Sequence, residues 1–341
     1  MSYGQTARTA PRHTPVSVYG RRRRRAVLCA ALIVLLAYVV FSGAGDPLNL
    51  GARPLNDQDR LSLSAVRWPE QGQAALVLGK GHAAASPHEQ PAPIASLAKV
   101  MTAYVTLKRY PITSAESGFA ITVTPAQAQA VAEDARDGQS VVAVQAGEQL
   151  TEYQLLQALL IPSGNNIARM LAAQVGGSET HFLGEMNAEA HALGMSRTVY
   201  TDPSGFDPST ASTAADQLRV FERAMRFPVF RQIVSMPSVT LPVAGTLTNY
   251  NPLIADGYAG KTGSDAAAGG CLAFFTHLNV SGRRVTAVGV VMGQGQGNDT
   301  SALLGAAGDA AQQLVDSATP ANRVGAVPLS SQPPRTRSND A

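Results

Sequence analysis

The chain has 341 residues, 45% of them hydrophobic and 15% charged, which is enough apolar material for one large core or two medium ones. Its 27 basic and 24 acidic residues give a net charge of +3, but Arg8, Arg12 and Arg21 to Arg25 all fall in residues 1–25, where there is no acid. The rest of the chain carries 20 basic against 24 acidic residues, so it lacks the basic excess of a nucleic-acid-binding domain and no nucleic-acid partner is expected.

Residues 1–25 read as a basic cytoplasmic tail. Residues 26–41, AVLCAALIVLLAYVVF, are uninterrupted apolar, and SGAG extends the uncharged run to residue 45. Twenty helical residues span about 30 Å, the hydrocarbon thickness of a bilayer. Residues 26–45 are therefore expected to be a transmembrane anchor or a cleaved signal segment. Arg21 to Arg25 hold its N-terminus inside and export everything that follows. The expected location is a cell membrane, single-pass, with the part after residue 45 extracytoplasmic, or secreted if the segment is cleaved. Cys29 lies inside the apolar run and Cys271 far along the chain, so the two cysteines cannot pair and the exported part must rely on its core.

Residues 46–70, rich in Asp, Arg, Pro and Asn, read as a linker. The stretch QAALVLGKGHAA (73–84) predicts a hairpin about Gly79-Lys80-Gly81. Ser96 to Tyr110 predicts a helix with Val100, Met101, Tyr104 and Leu107 on one face, stopped by Pro111. Gln139 to Val144 predicts a strand. Thr151-Glu152-Tyr153-Gln154 is a capping box opening a helix over 152–161. Asn165–Val175 and Thr180–Leu193 predict further helices; Ser238–Val243, Cys271–Leu278 and Val285–Met292 predict strands; Ala302–Ala318 predicts a closing helix. Strands at both ends with helices between give an α+β domain over 71–320, an antiparallel sheet packed with a helical cluster, followed by a disordered tail at 321–341.

Only four lysines occur in the chain, Lys80, Lys99, Lys108 and Lys261, and two of them sit in motifs. Lys99 follows Ser96 by three residues, so on a helix the amine reaches the hydroxyl. A serine hydroxyl is a poor nucleophile until a base takes its proton, and lysine can be that base when burial or a neighbouring cation lowers its pKa toward about 7–8. Ser163-Gly164-Asn165 lies in the bend between two predicted helices. Lys261-Thr262-Gly263 lies just before the strand GCLAFF. Each pattern occurs once, in the order S-x-x-K, S-x-N, K-T-G. Together they are the signature of penicillin-binding proteins and class A β-lactamases.

The surrounding stretches ASLAKVMTAYVTL, AGEQLTEYQLLQALLIPSGNNIA, MNAEAHALGM, TDPSGFDP and AGKTGSDAAAGGCLAF resemble the D-alanyl-D-alanine carboxypeptidase family of low-molecular-mass penicillin-binding proteins over residues 71–318. The resemblance implies a penicillin-binding/β-lactamase-like fold. It implies Ser96 as acylated nucleophile, Lys99 as its base, Ser163 as proton relay and Asn165 as the residue orienting Lys99 and the substrate amide. Lys261 and Thr262 would bind the substrate's terminal carboxylate, and the Ser96 and Ser264 backbone amides would form the oxyanion hole. Gly263 would leave room for substrate along the strand edge. The implied substrate is a peptidoglycan stem peptide ending in D-Ala-D-Ala, trimmed through an acyl-Ser96 intermediate. β-Lactam antibiotics are implied as covalent ligands, and no metal or cofactor is implied.

Two departures stand out. Asp256-Gly257-Tyr258-Ala259-Gly260 adds two residues before Lys261, and Gly293 to Gly305 lacks the arginine that helps some relatives bind the carboxylate. The family's common second β domain and C-terminal membrane helix are not seen after residue 318. A β-lactamase reading lacks E-x-x-L-N after S-x-N. A Ser-His-Asp hydrolase lacks G-x-S-x-G, and Ser204 reads as a turn residue. His181, Glu185 and His191 do not have metalloprotease spacing. The non-enzymatic alternative is a degenerate, membrane-tethered wall-binding protein.

Overall fold

The computed structural model describes residues 66–113, 118–280 and 283–318, all within the second of two compact units, 52–341. The basic tail, the apolar segment 26–45, most of the linker and the tail 321–341 lie outside the described residues. No helix among the described residues is long and apolar enough to cross a membrane.

In chain order the elements are β1 (Gln73–Leu78), β2 (Ala84–Ala85), β3 (Ala92–Pro93), a 3₁₀ turn (Ala95–Leu97) and α1 (Ala98–Arg109). Then come β4 (Ala120–Thr122), α2 (Pro125–Arg136), β5 (Gln149–Thr151), α3 (Glu152–Leu160), α4 (Asn165–Gly176) and α5 (Glu179–Ala192). The chain continues through β6 (Ala211–Ser212), α6 (Ala214–Ala224), α7 (Pro228–Val234), β7 (Ser238–Leu241) and β8 (Gly245–Thr248). It closes with β9 (Ala259–Asp265), β10 (Gly269–Val280), β11 (Arg283–Gln294) and α8 (Thr300–Ser317).

Five strands form one antiparallel sheet in the order β2-β1-β11-β10-β9, so the first strand of the domain lies beside the last. Both faces are buried, which is why these strands read as continuous apolar runs. Ala75, Val77, Cys271, Ala273, Val288 and Val290 point into the helical cluster. Leu76, Leu272, Phe274, Ala287 and Val291 alternate with them and pack on α8 through Ala307, Ala311 and Leu314. β9 is an edge strand, paired through Lys261↔Ala273, Thr262↔Leu272 and Gly263↔Cys271 on one side only. Ala259 belongs to the face against the helices, so by the two-residue period Lys261 and Gly263 share it.

Three expectations are corrected. The hairpin's return strand shrinks to Ala84–Ala85, because β1 has its main partner in β11. Residues 139–144 form no strand: Asn166 donates from Nδ2 to Val142 O at 2.9 Å and accepts the Val142 N–H on Oδ1 at 3.0 Å. One side-chain amide thus takes the place of a ladder partner. K-T-G itself lies within a strand, β9, and the expected strand GCLAFF follows it as part of β10. α1 has no exposed face over its first ten residues: Ala98 through Leu107 are all buried, Lys99, Thr102 and Thr106 among them, since other helices surround it and the sheet lies beyond. The capping box at Thr151 forms as expected, the Gln154 N–H reaching Thr151 Oγ1 at 3.3 Å and the Thr151 N–H reaching Gln154 Oε1 at 2.9 Å.

Candidate active site

Ser96 lies in the 3₁₀ turn that feeds α1, with Ala95 at φ +44, and remains part-exposed at the seam between helices and sheet. The turn keeps the three-residue offset to Lys99, whose Nζ lies 2.7 Å from Ser96 Oγ. Lys99 is fully buried. Its amine also donates to Asn165 Oδ1 at 2.7 Å and to the Ser204 carbonyl at 3.0 Å.

These three partners decide what a neutral Lys99 can do. A neutral amine has two N–H groups and one lone pair. Asn165 Oδ1 and the Ser204 carbonyl can only accept, so they take the two N–H groups. Of the three partners only the Ser96 hydroxyl can donate, and the lone pair therefore faces the proton to be removed. Burial is the largest influence lowering the Lys99 pKa well below the ordinary lysine range; the charge of Lys261 lowers it further, Asp202 opposes, and Arg169 adds a smaller push in the same direction.

Ser163 sits between α3 and α4 at φ +66, a left-handed conformation unusual for serine. A side chain at Gly164 would meet Ile167 and Val142 within 3 Å, so glycine there lets the bend close. The bend turns Ser163 Oγ toward β9, where Lys261 Nζ donates to it at 2.9 Å and to the Thr262 carbonyl at 2.8 Å. Lys261 is also fully buried, and desolvation pushes its pKa down to about 7.

Gly263 brings the edge of β9 against the nucleophile turn. A Cβ there would lie 2.9 Å from the Ser96 N and 3.1 Å from Ile94 O. The turn at 202–206 closes the other side of α1. Gly205, at φ +78, lies so close to the turn that a Cβ would overlap the Ala95 carbonyl. Thr102 Oγ1 donates to Pro203 O at 2.6 Å, one helical turn from Lys99.

The structure thus gathers Ser96, Lys99 and Asn165 into one hydrogen-bonded group, and Ser163, Lys261 and Thr262 into a second. Gly263 lies at the junction, and Ser264 follows part-exposed on the same strand. Sequence reasoning missed the Ser204 carbonyl as a support of Lys99, and it missed Gln139, which accepts from Asn165 Nδ2 at 3.1 Å. Ser204 lies in the TDPSGFDP stretch, but nothing there marked its carbonyl, and nothing marked Gln139. His181 and Glu185 are 3.7 Å apart on α5, where Glu185 also accepts from Arg109, and no cluster of metal-ligating side chains occurs among the described residues.

The family profile described as D-alanyl-D-alanine carboxypeptidase, peptidase S11, matches residues 80–295. The chain belongs to this family. D-alanyl-D-alanine carboxypeptidase DacB2 of Mycobacterium tuberculosis is 44% identical over 104 residues, 30% of this chain and 35% of the relative. A D-alanyl-D-alanine endopeptidase of Pseudomonas aeruginosa is 33% identical over 201 residues, 55% of this chain and 61% of the relative. The matches thus span between about a third and three fifths of these relatives' lengths. The crystal structure of the Streptomyces K15 DD-transpeptidase covers 74% of this chain and 99% of its own at TM-score 0.62 and 24% identity, a likeness of fold. A penicillin-binding protein homologue from Mycobacterium tuberculosis covers 78% of this chain and 99% of its own at TM-score 0.59 and 29% identity. The fold is accordingly the α+β penicillin-binding/β-lactamase-like one, with an antiparallel sheet and a helical cluster.

Proposed function

We propose that the protein is a serine-type D-Ala-D-Ala carboxypeptidase that removes the terminal D-alanine of peptidoglycan stem peptides through an acyl-Ser96 intermediate. The observation that carries this reading is the buried Lys99 amine, held by Asn165 Oδ1 and the Ser204 carbonyl with its lone pair facing Ser96 Oγ. Lys99 takes the Ser96 proton as Oγ attacks the carbonyl of the penultimate residue. The peptide C–N bond breaks, and the leaving amine of D-alanine takes a proton through Ser163. Water then hydrolyses the ester, with Lys99 again as base. The Ser96 and Ser264 backbone N–H groups hold the oxyanion in this reading. Such donors are each worth about 3 kcal/mol in the transition state.

The substrate extends β9 as an added strand, its carboxylate meeting Lys261 and Thr262. Lys261 donates to Ser163 and to its neighbour's carbonyl, which leaves one of the three N–H groups of its charged form for a carboxylate. β-Lactams acylate Ser96 by the same attack. The endopeptidase name of the Pseudomonas relative favours a second substrate for the same chemistry, a cross-linked peptide whose leaving amine belongs to another stem. We further propose that Arg21 to Arg25 and residues 26–45 tether the domain outside the cytoplasmic membrane. External protease on intact cells should digest residues 46–341, and protection of the whole chain would refute the tether.

The test is release of free D-alanine from a diacyl-L-Lys-D-Ala-D-Ala peptide, run beside a cross-linked peptide dimer. Labelling by a fluorescent penicillin is followed in the wild type and in Ser96→Ala. Labelling that persists in Ser96→Ala moves the nucleophile elsewhere, and a wild type that neither labels nor releases D-alanine leaves the wall-binding reading.

A further inference from the structure

Beyond the motif residues, one closed hydrogen-bond ring reaches the site. α2 ends at Arg136, and Gly138 follows in the left-handed conformation at φ +78. The Gly138 N–H bonds Ala135 O at 3.2 Å and the Gln139 N–H bonds Asp134 O at 3.0 Å. This paired stop folds residue 139 back over the last turn of its own helix. Gln139 Nε2 then donates to Asp134 Oδ1 at 3.2 Å. Asp134 Oδ2 accepts from Arg169 Nη2, and Arg169 Nη1 donates to Gln139 Oε1 at 3.1 Å. The ring is closed, and one further bond leads inward from it: Asn165 Nδ2 donates to the same Gln139 Oε1.

That bond matters because the two ends of an asparagine amide have nearly the same shape and opposite hydrogen-bonding character. As observed, Oδ1 faces Lys99 and Nδ2 faces Gln139. Turned over, Nδ2 would face Lys99 and donate to its lone pair, the pair that must receive the Ser96 proton. Gln139 opposes the turn. Its own amide is fixed by a carboxylate on Nε2 and a guanidinium on Oε1, so it presents only an acceptor, and a turned Asn165 would set two acceptor oxygens against each other.

We propose that Gln139, locked by Asp134 and Arg169, is a positioning residue that holds Asn165 in the one amide orientation that keeps the lone pair of Lys99 available to Ser96. Its catalytic consequence rests on the acyl-Ser96 reading; its effect on Lys99 does not. The charges facing Lys99 are Lys261 from β9, Arg169 from α4 and Asp202 from the 202–206 turn, with Glu179 beside Arg169 and Asp202. Replacing neutral Gln139 by neutral leucine leaves all of them in place, so any change in Lys99 then reports the hydrogen bonds.

The test uses the full chain with lysine labelled at ε-¹³C, where four lysines give four signals. In Gln139→Leu the freed Asn165 amide donates to the neutral amine and stabilises it. The Lys99 titration midpoint should fall by about half a pH unit or more, and penicillin acylation by about tenfold at the plateau. In Gln139→Glu an oxygen still accepts from Asn165 and Arg169, and a protonated carboxyl reproduces the donation to Asp134. Acylation there should stay within about threefold of wild type. A purely structural role for Gln139 would lower thermal stability in the leucine variant and leave the Lys99 midpoint where it was. An unmoved midpoint in Gln139→Leu, or equal loss of acylation in both variants, overturns the proposal. A wild type that penicillin does not acylate overturns the acyl-serine reading instead, and the Lys99 midpoint alone then decides the role of Gln139.

Discussion

Burial pushes the Lys261 ammonium down to about 7, yet a substrate carboxylate needs it charged. In the free enzyme the charged fraction then falls tenfold for each pH unit above the midpoint, to about 1% at pH 9. kcat/KM reports the free enzyme, so on a peptide ending in D-Ala-D-Ala it should drop to about a hundredth of its plateau by pH 9. Lys99 cannot produce this limb. A base loses activity when protonated, so its limb lies on the acid side, where burial and the charge of Lys261 have moved it. Lys261→Arg separates the two. Arginine stays charged when buried, though its fork fits less well beside Ser163 Oγ and the Thr262 carbonyl, and a loss of about tenfold at pH 6.5 is expected. The alkaline limb should vanish, so the two profiles cross near pH 8. The assay is D-alanine release from pH 6 to 9, with circular dichroism to show that the fold persists. No decline in the wild type by pH 9, or a decline with the same midpoint in Lys261→Arg, refutes the reasoning.

Lys99→Arg keeps the charge but cannot take a proton, and acylation by penicillin should fall by roughly 10²–10⁴ at every pH; a rate near wild type would exclude Lys99 as the base. Gly263→Ala places a methyl 2.9 Å from the Ser96 N and 3.1 Å from Ile94 O, so β9 must back away from the nucleophile turn. Acylation should slow by tenfold or so while thermal unfolding shifts by only a few degrees, and unchanged kinetics would mean that the strand edge is not part of the site. Glu152 is fully buried, and burial raises its pKa from 4.5 to about 7 against the opposing hydrogen bond from the Phe119 backbone. Folding therefore takes up a proton, and stability falls as pH rises from 4.5 to about 7, by about 3 kcal/mol in all. Glu152→Gln should gain most of that at pH 8 and nothing at pH 4 in denaturant titrations, whereas parallel pH curves for the two proteins would show that Glu152 is satisfied.

How far the sequence could be read follows from what each element answers to. The three motifs were legible because base, nucleophile and carboxylate partner demand particular side chains; the helices at 152–160 and 165–176 bury stripes at helical spacing, and that at 98–109, buried all round, carries Val100, Met101, Tyr104 and Leu107 at the same spacing. α2 was not legible from periodicity, since none of its residues is fully buried. Its signal was local: Thr124 and Gln127 form a second capping box with a proline at the helix start. The α6 cap at Thr213 was a comparable mark passed over. Residues 139–144 misled because Val142 and Val144 alternate like a strand, while the partner of Val142 is one side chain, Asn166. The Ser204 carbonyl on Lys99 has no sequence signature, because every residue carries a carbonyl and only the turn at 202–206 decides where this one points.

Two of the four lysines are fully buried, and residue type alone gives no reason for one to be a base and the other an acid. Their surroundings do. Lys99 has two partners that can only accept and one that can donate, a set that a neutral amine satisfies completely. Lys261 has two acceptors, Ser163 Oγ and the Thr262 carbonyl, and the third N–H of its charged form waits for a carboxylate. Each lysine loses its proton more easily because both are desolvated, and the charge on Lys261 lowers Lys99 further. A proton on Lys261 makes one harder to add at Lys99. A bound carboxylate favours the proton on Lys261 by stabilising its charge. Substrate binding and base activation thus require the same distribution of one proton over two amines, and the hydrogen-bond partners of each amine select it.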